Sequence, residues 1–104
     1  MQLTSDESHF IRHALGLTNG KVGHRNFYAA GDGDGVAVGR ALVAKGLALE
    51  VKTGAHRPDV NFVITSAGFR AAARPGEVMD REETERMLRI DARTSPCLYK
   101  ASDK

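Results

Sequence analysis

Residues 41–65 constrain this chain more than any other stretch. "ALVAKGLALEVKTGAHRPDVNFVIT" opens with apolar residues at helical spacing, stops at Gly46, and then changes period. Residues 47–52, "LALEVK", alternate. Residues 60–65, "VNFVIT", alternate again, with Val60, Phe62 and Ile64 on one face and Val63 on the other. A period of about 3.6 followed by two runs of period 2 cannot belong to one continuous element. Between the runs lies "TGAHRPD", residues 53–59, where Gly54, Pro58 and Asp59 supply turn chemistry. The expected order is helix, strand, basic turn, strand, with the two strands close enough in sequence to pair antiparallel. The helix is expected over Asp34–Lys45, with Asp34 as N-cap and Val38, Ala41, Leu42 and Val43 on its buried side. Gly46 ends it, and Leu47 then enters the core.

The flanks read less completely. "TSDE" puts Thr4 at an N-cap and Glu7 three residues on, a capping box that opens a first helix with Phe10, Ile11, Ala14 and Leu15 on one face. Gly16 or the Thr18-Asn19-Gly20 cluster closes it. Residues 17–33 form a long connection in which "RNFYA", 25–29, is a short strand or a packed turn, with Phe27 and Tyr28 pinning it to the core. Thr65 or Ser66 caps a short helix, "AGFRAAA", and Arg74-Pro75-Gly76 breaks the chain. Asp80 and Glu83 form a second capping box at the head of "MDREETERMLRID". Its apolar residues are Val78, Met79, Met87, Leu88 and Ile90, while Glu82, Glu83 and Glu85 stand at helix spacings from Arg81, Arg86 and Arg89. That is a solvated helix with a narrow contact stripe. The organisation expected is one domain over residues 1–76, then a terminal helix and tail over 77–104 that pack on the same domain or on a second copy.

With 104 residues the chain can bury one modest core, and 41% hydrophobic against 27% charged residues excludes a disordered or fibrous class. No apolar run reaches the roughly 20 residues that span a bilayer. The N-terminus lacks the basic and apolar regions of a secretory signal, and one cysteine, Cys97, permits no internal disulfide. A cytoplasmic protein with no membrane partner is expected. The net charge of +2 is unevenly spread: residues 40–74 carry Arg40, Lys45, Lys52, Arg57, Arg70 and Arg74 against Glu50 and Asp59, a local +4. This middle third is the candidate basic surface.

"AAGDGDGVAVGR", residues 29–40, raises three chemical readings. A phosphate-binding P-loop needs four residues between its glycines and then Lys-Ser/Thr, whereas Gly35 and Gly39 are separated by three and Arg40-Ala41 follow. A dinucleotide fingerprint counted from Gly33 needs a glycine where Val38 stands. A calcium loop beginning at Asp32 and Asp34 needs oxygen ligands where Val36 and Val43 stand. The preferred reading is conformational: glycines allow the sharp entry into the helix, and Gly39 lets another element come close. His9 and His13 share a helix face, but nothing fixes His24, His56 or Cys97 near them as metal ligands. Cys97, after Ser95-Pro96 in the tail, lacks the ordered base that a nucleophile requires. No catalytic residue, metal or cofactor is expected, and the chain reads as a non-enzyme.

Residues 41–68, "ALVAKGLALEVKTGAHRPDVNFVITSAG", resemble the C-terminal half of winged-helix domains, MarR-like regulators in particular. Leu42 and Gly46-Leu47 match the end of the helix, Lys52 to Asp59 the wing, and Phe62, Ile64, Thr65 and Gly68 the closing strand and helix start. "HALGLTNGKVGHRNFYAAG", together with that core, also resembles small uncharacterised phage and prophage proteins. The resemblance implies an α+β, winged-helix-like fold: an N-terminal helix, a central helix, a two-stranded antiparallel wing and C-terminal helices.

It further implies that the central helix enters the major groove of double-stranded DNA while the wing touches phosphate. Arg40 and Lys45 would be the helix contacts; Lys52, His56 and Arg57 would be the wing contacts. The expected function is a DNA-binding transcriptional regulator of phage or prophage type. The alternative is a winged-helix-like protein-interaction module that inhibits or redirects a host protein complex. The acids at the helix entry, the small side chains Ala37, Gly39 and Ala44, and the charged terminal helix motivate it. By the same resemblance, residues 78–90 are the candidate for a homodimer contact.

Overall fold

The computed structural model describes residues 3–30, 33–51 and 60–94. Helix α1 spans Ser5–Leu15 and is followed by a 3-10 turn, Leu17–Asn19, and two short strands, β1 (Val22–Gly23) and β2 (Tyr28–Ala30). Helix α2 (Gly33–Ala44) leads into β3 (Ala48–Val51) and β4 (Val60–Ile64). Helix α3 (Ser66–Ala72), strand β5 (Val78–Met79) and helix α4 (Arg81–Thr94) complete the described chain. The class is α+β. Asp32, Lys52, His56, Arg57 and Cys97, with the turn 53–59 and the tail 95–104, lie outside the described residues.

The two alternating runs pair antiparallel, with Ala48 opposite Ile64 and Val51 opposite Asn61. β2 joins the other side of β4, also antiparallel, so the sheet order is β2-β4-β3. Pleating sends Phe62 and Ile64 to one face, where they are fully buried with Phe10, Ile11, Ala14, Leu15 and Leu42. Phe10 meets Phe62 edge-on with ring centres 5.7 Å apart and stacks on Tyr28 at 4.0 Å. The apolar face expected for α1 is therefore the centre of the core. Its reciprocal capping box is present, Thr4 accepting from the Glu7 N–H and Glu7 from the Thr4 N–H, each at 3.0 Å.

The end of α2 shows why this sequence turns as it does. The Leu47 N–H donates to Leu42 O and the Gly46 N–H to Val43 O, with Gly46 left-handed at φ 77°. This closes two carbonyls that the helix leaves open. Leu47 O then accepts from the Thr65 N–H, while the Thr65 hydroxyl donates to Gly46 O and accepts from the Gly68 N–H. Gly68 packs so tightly against the Leu47 carbonyl that a Cβ there would overlap it. The Gly-Leu and Thr-x-x-Gly signatures are thus two halves of one backbone junction. Gly39 serves the close approach expected of it: a Cβ would sit 2.5 Å from the Phe62 ring.

Several expectations need correction. α2 begins at Gly33, so Asp34 lies in its first turn and is not its N-cap. Ala41 is exposed because the helix meets the sheet through Gly39 and Leu42. Of the two aromatics expected to pin the 25–29 stretch, Tyr28 does so by stacking on Phe10, whereas Phe27 is 41% exposed and its neighbour Asn26 supplies the second pin. Asn26 is wholly buried and acts as a stand-in strand residue, accepting from the Ile64 N–H at 2.6 Å and donating to Ile64 O at 2.9 Å. Val78 and Met79, read as part of a helix stripe, instead form β5 and pair in parallel with Val22 and Gly23. At the head of α4, Asp80 accepts from the Glu83 N–H at 2.8 Å, but the box is not reciprocal, because the Asp80 N–H donates to Gly23 O at 2.9 Å and not to the Glu83 carboxylate. On α4 itself Met87 and Ile90 are buried against the chain's own core, while Leu88 is 60% exposed.

Candidate functional site

The helix and ribbon place Arg40 and Lys45 apart. Arg40 projects from the outer side of α2 and pairs with Glu50 of β3 at 3.2 Å, both side chains remaining well exposed. Such a surface pair is worth about 0–1 kcal/mol and can be exchanged. Lys45 reaches back across the core to α1, its Nζ donating at 2.8 Å to both carboxylate oxygens of buried Glu7. The Lys45 ammonium, with the Thr4 N–H second, holds the Glu7 carboxyl below its usual pKa. Lys45 is therefore a strut between α1 and α2. The remaining outward residues of α2 are Gly33, Asp34, Ala37, Ala41 and Ala44. This surface presents one long cation, already facing a carboxylate, among small side chains. His9 and His13 do lie side by side on α1, ring centres 6.1 Å apart, and among the described residues no group of three His, Cys, Asp or Glu could hold a metal ion.

The opposite face of the sheet carries a different surface. Pleating puts Leu49, Val51 and Val63 there, away from Phe62 and Ile64. α4 packs on this face with buried Ile90, while its Met87 joins the main core cluster. Between the C-terminal half of α4 and the sheet runs a groove of about 540 Å³. Buried Val63 and Ile90, half-buried Val51 and the partly exposed Phe27 form its floor; Arg86, Arg89 and Arg93 form its rim. Among the described residues no carboxylate lines it. Arg86 stands 3.7 Å from Glu83, and Glu85, one helical turn before Arg89, leans to Arg81 at 4.0 Å instead. Among the described residues neither Arg89 nor Arg93 has an acidic partner.

Sequence spacing alone misses these arginines as a group, because it matches Arg86 and Arg89 to nearby glutamates. The signal that could have found them is their own spacing, 86, 89 and 93, which puts three cations on one side of a helix whose acids crowd its first turns.

A third charged feature is buried. Arg12 of α1 makes a two-pronged ion pair with Glu77, in the approach to β5, and also donates to Ala72 O and Leu17 O. The Arg12 guanidinium, aided by the Arg74 N–H, holds Glu77 well below the usual carboxylate range, at about 2. Both terminal nitrogens of this arginine are used inside the fold, so it is a structural tie.

No helix among the described residues is long and apolar enough to cross a membrane. No family model, curated protein or solved structure matches the chain.

Proposed function

We propose that this chain is a winged-helix-like interaction module whose partner is a protein. The groove beside α4 carries the reading: an apolar floor framed by Arg86, Arg89 and Arg93, two of them without an acidic partner among the described residues. Apolar floor with arginine at the edge is the composition of a protein-contact surface. The small, nearly neutral outer face of α2 supports the same reading, because a DNA-reading helix relies on Arg, Asn or Gln at base edges. Following the resemblance to phage proteins, the partner is a complex of the host cell, met in the cytoplasm, which the module inhibits or redirects.

Fluorescence anisotropy with random duplex DNA at low salt tests the choice. The expected result is no binding that falls with salt. Steep salt-dependent binding abolished by Arg40→Ala with Arg57→Ala would overturn it.

One observation favours the second reading, a DNA-binding regulator. α2 runs directly into the antiparallel β3–β4 ribbon, and β2 joins it in the order β2-β4-β3. A helix running into a ribbon is what the winged-helix reading requires, and the sequence between the strands holds Lys52, His56 and Arg57. In that reading they and Arg40 meet phosphate, while Lys45 stays with Glu7. The strand β2 stands directly before α2, where a helix-turn-helix would place another helix. A homodimer through residues 78–90 would have to use exposed Leu88 and Val78, since Met87 faces inward. Light scattering that returns the monomer mass of 11.2 kDa at high concentration removes it.

A further inference from the structure

We propose that the groove between α4 and the sheet holds a short acidic segment of the partner protein, with carboxylates on the arginines and one large apolar side chain on the floor. This rests on the protein-partner reading and names the chemistry it uses. Charge selects the occupant: the rim offers three guanidinium groups, and the described lining offers no carboxylate. Each guanidinium presents a planar fork that suits a carboxylate two prongs at a time. The helix fixes the spacing. Arg86 and Arg93 are seven residues apart, about 10 Å along the axis at roughly 1.5 Å per residue. Same-face carboxylates two or four residues apart in an extended segment, about 7 or 13 Å, bracket that distance.

The floor selects what lies between them. Val63 and Ile90 are buried, at 5% exposure each, and give an aliphatic bed that has no polar partner for a heteroatom. Phe27 closes one end with 41% of its surface open, ready to be covered. A leucine, isoleucine or phenylalanine side chain fits such a bed. Single-stranded nucleic acid also brings anions, but its bases need stacking platforms, and the described floor has one aromatic ring among three aliphatic side chains.

Selection of short random peptides displayed on phage, against the immobilised full chain, tests this. The expected enrichment is for sequences with two or more acids flanking a large apolar residue. Binding of a resynthesised winner should fall by about ten-fold or more in Arg89→Glu with Arg93→Glu, as loss of charge-assisted pairs requires. Both side chains are exposed, so that variant keeps the fold, which far-UV circular dichroism checks. The conservative exchange, Arg89→Lys with Arg93→Lys, should retain part of the binding. No enrichment, winners lacking acids, winners unaffected by the charge reversal, or tighter binding of oligo-deoxythymidine than of any peptide each overturn the proposal. The charge-reversed variant leaves α2 and the ribbon untouched. A host protein captured equally by wild type and variant would therefore sink the groove assignment and leave the protein-partner reading in place. Salt-dependent duplex binding without peptide enrichment would remove both.

Discussion

The two faces of the β2-β4-β3 sheet differ in how completely their chemistry is used. On the α1–α2 face, Phe62, Ile64, Phe10 and Leu42 are buried to 3% exposure or less, and Lys45 is matched to Glu7. Behind α1 the same holds for Arg12 and Glu77. On the α4 face, Val51 and Phe27 stay partly open beside Arg89 and Arg93, which have no acidic partner among the described residues. A cation inside a core must be paired, because leaving it unpaired costs several kcal/mol. A cation at a rim is hydrated and can wait for a partner at little cost. The closed face is built for stability and the open face is free to serve recognition.

That contrast can be broken most severely at Arg12. Arg12→Ala leaves the Glu77 carboxylate with only the Arg74 N–H as donor and takes the guanidinium from the Ala72 and Leu17 carbonyls, and should cost about 3–5 kcal/mol in urea unfolding. Replacing both partners by methionine should recover much of that loss, since apolar side chains of similar volume leave no orphaned charge. Asn26→Ala comes next. It removes both bonds to Ile64 and strands an N–H and a C=O in the core, so about 2–4 kcal/mol should be lost. Retention of wild-type stability would show that water replaces the side chain.

Gly39→Val should follow at about 1–3 kcal/mol, because the new side chain drives into the Phe62 ring and α2 must move off the sheet. The pH response sharpens the comparison further. Glu77 is depressed from 4.5 to about 2 in the folded chain. Its contribution is therefore complete above pH 4.5 and is lost as pH falls toward 2. Unfolding midpoints followed between those values should decline, with a shallower slope in Glu77→Gln. The smallest effect belongs to the open face: Arg89→Glu or Arg93→Glu should change stability by less than about 0.5 kcal/mol. A larger loss would mean that these arginines hold the fold as Arg12 does, and the contrast between the two faces would disappear.

How far these features are legible follows from the distance over which each one acts. The Thr4–Glu7 capping box, the stop at Gly46 and the strand alternation are set by residues within one or two turns of each other, so spacing reveals them. Gly39 and Gly68 are visible as glycines, but the Phe62 ring and the Leu47 carbonyl that require them come from other elements. Asn26 gives no signal: a polar residue in a loop is ordinary until the Ile64 backbone is brought to it from 38 positions away. The partner of Lys45 is hidden for the same reason. Along the chain this lysine is a base on a helix beside a basic turn, and only folding delivers Glu7 to it.

The sequence by itself determined the local alphabet of this protein: the cap of α1, the stop of α2 at Gly46, which residues of β4 face the core, and that a ribbon follows α2. Local dihedral preferences and hydrophobic period suffice for those, because they involve neighbours along the chain. Which charges are consumed and which remain available was decided only by tertiary structure. Arg12, Lys45 and Arg89 are all bases on or beside helices, and what separates them is whether packing carried a distant carboxylate to within hydrogen-bonding reach.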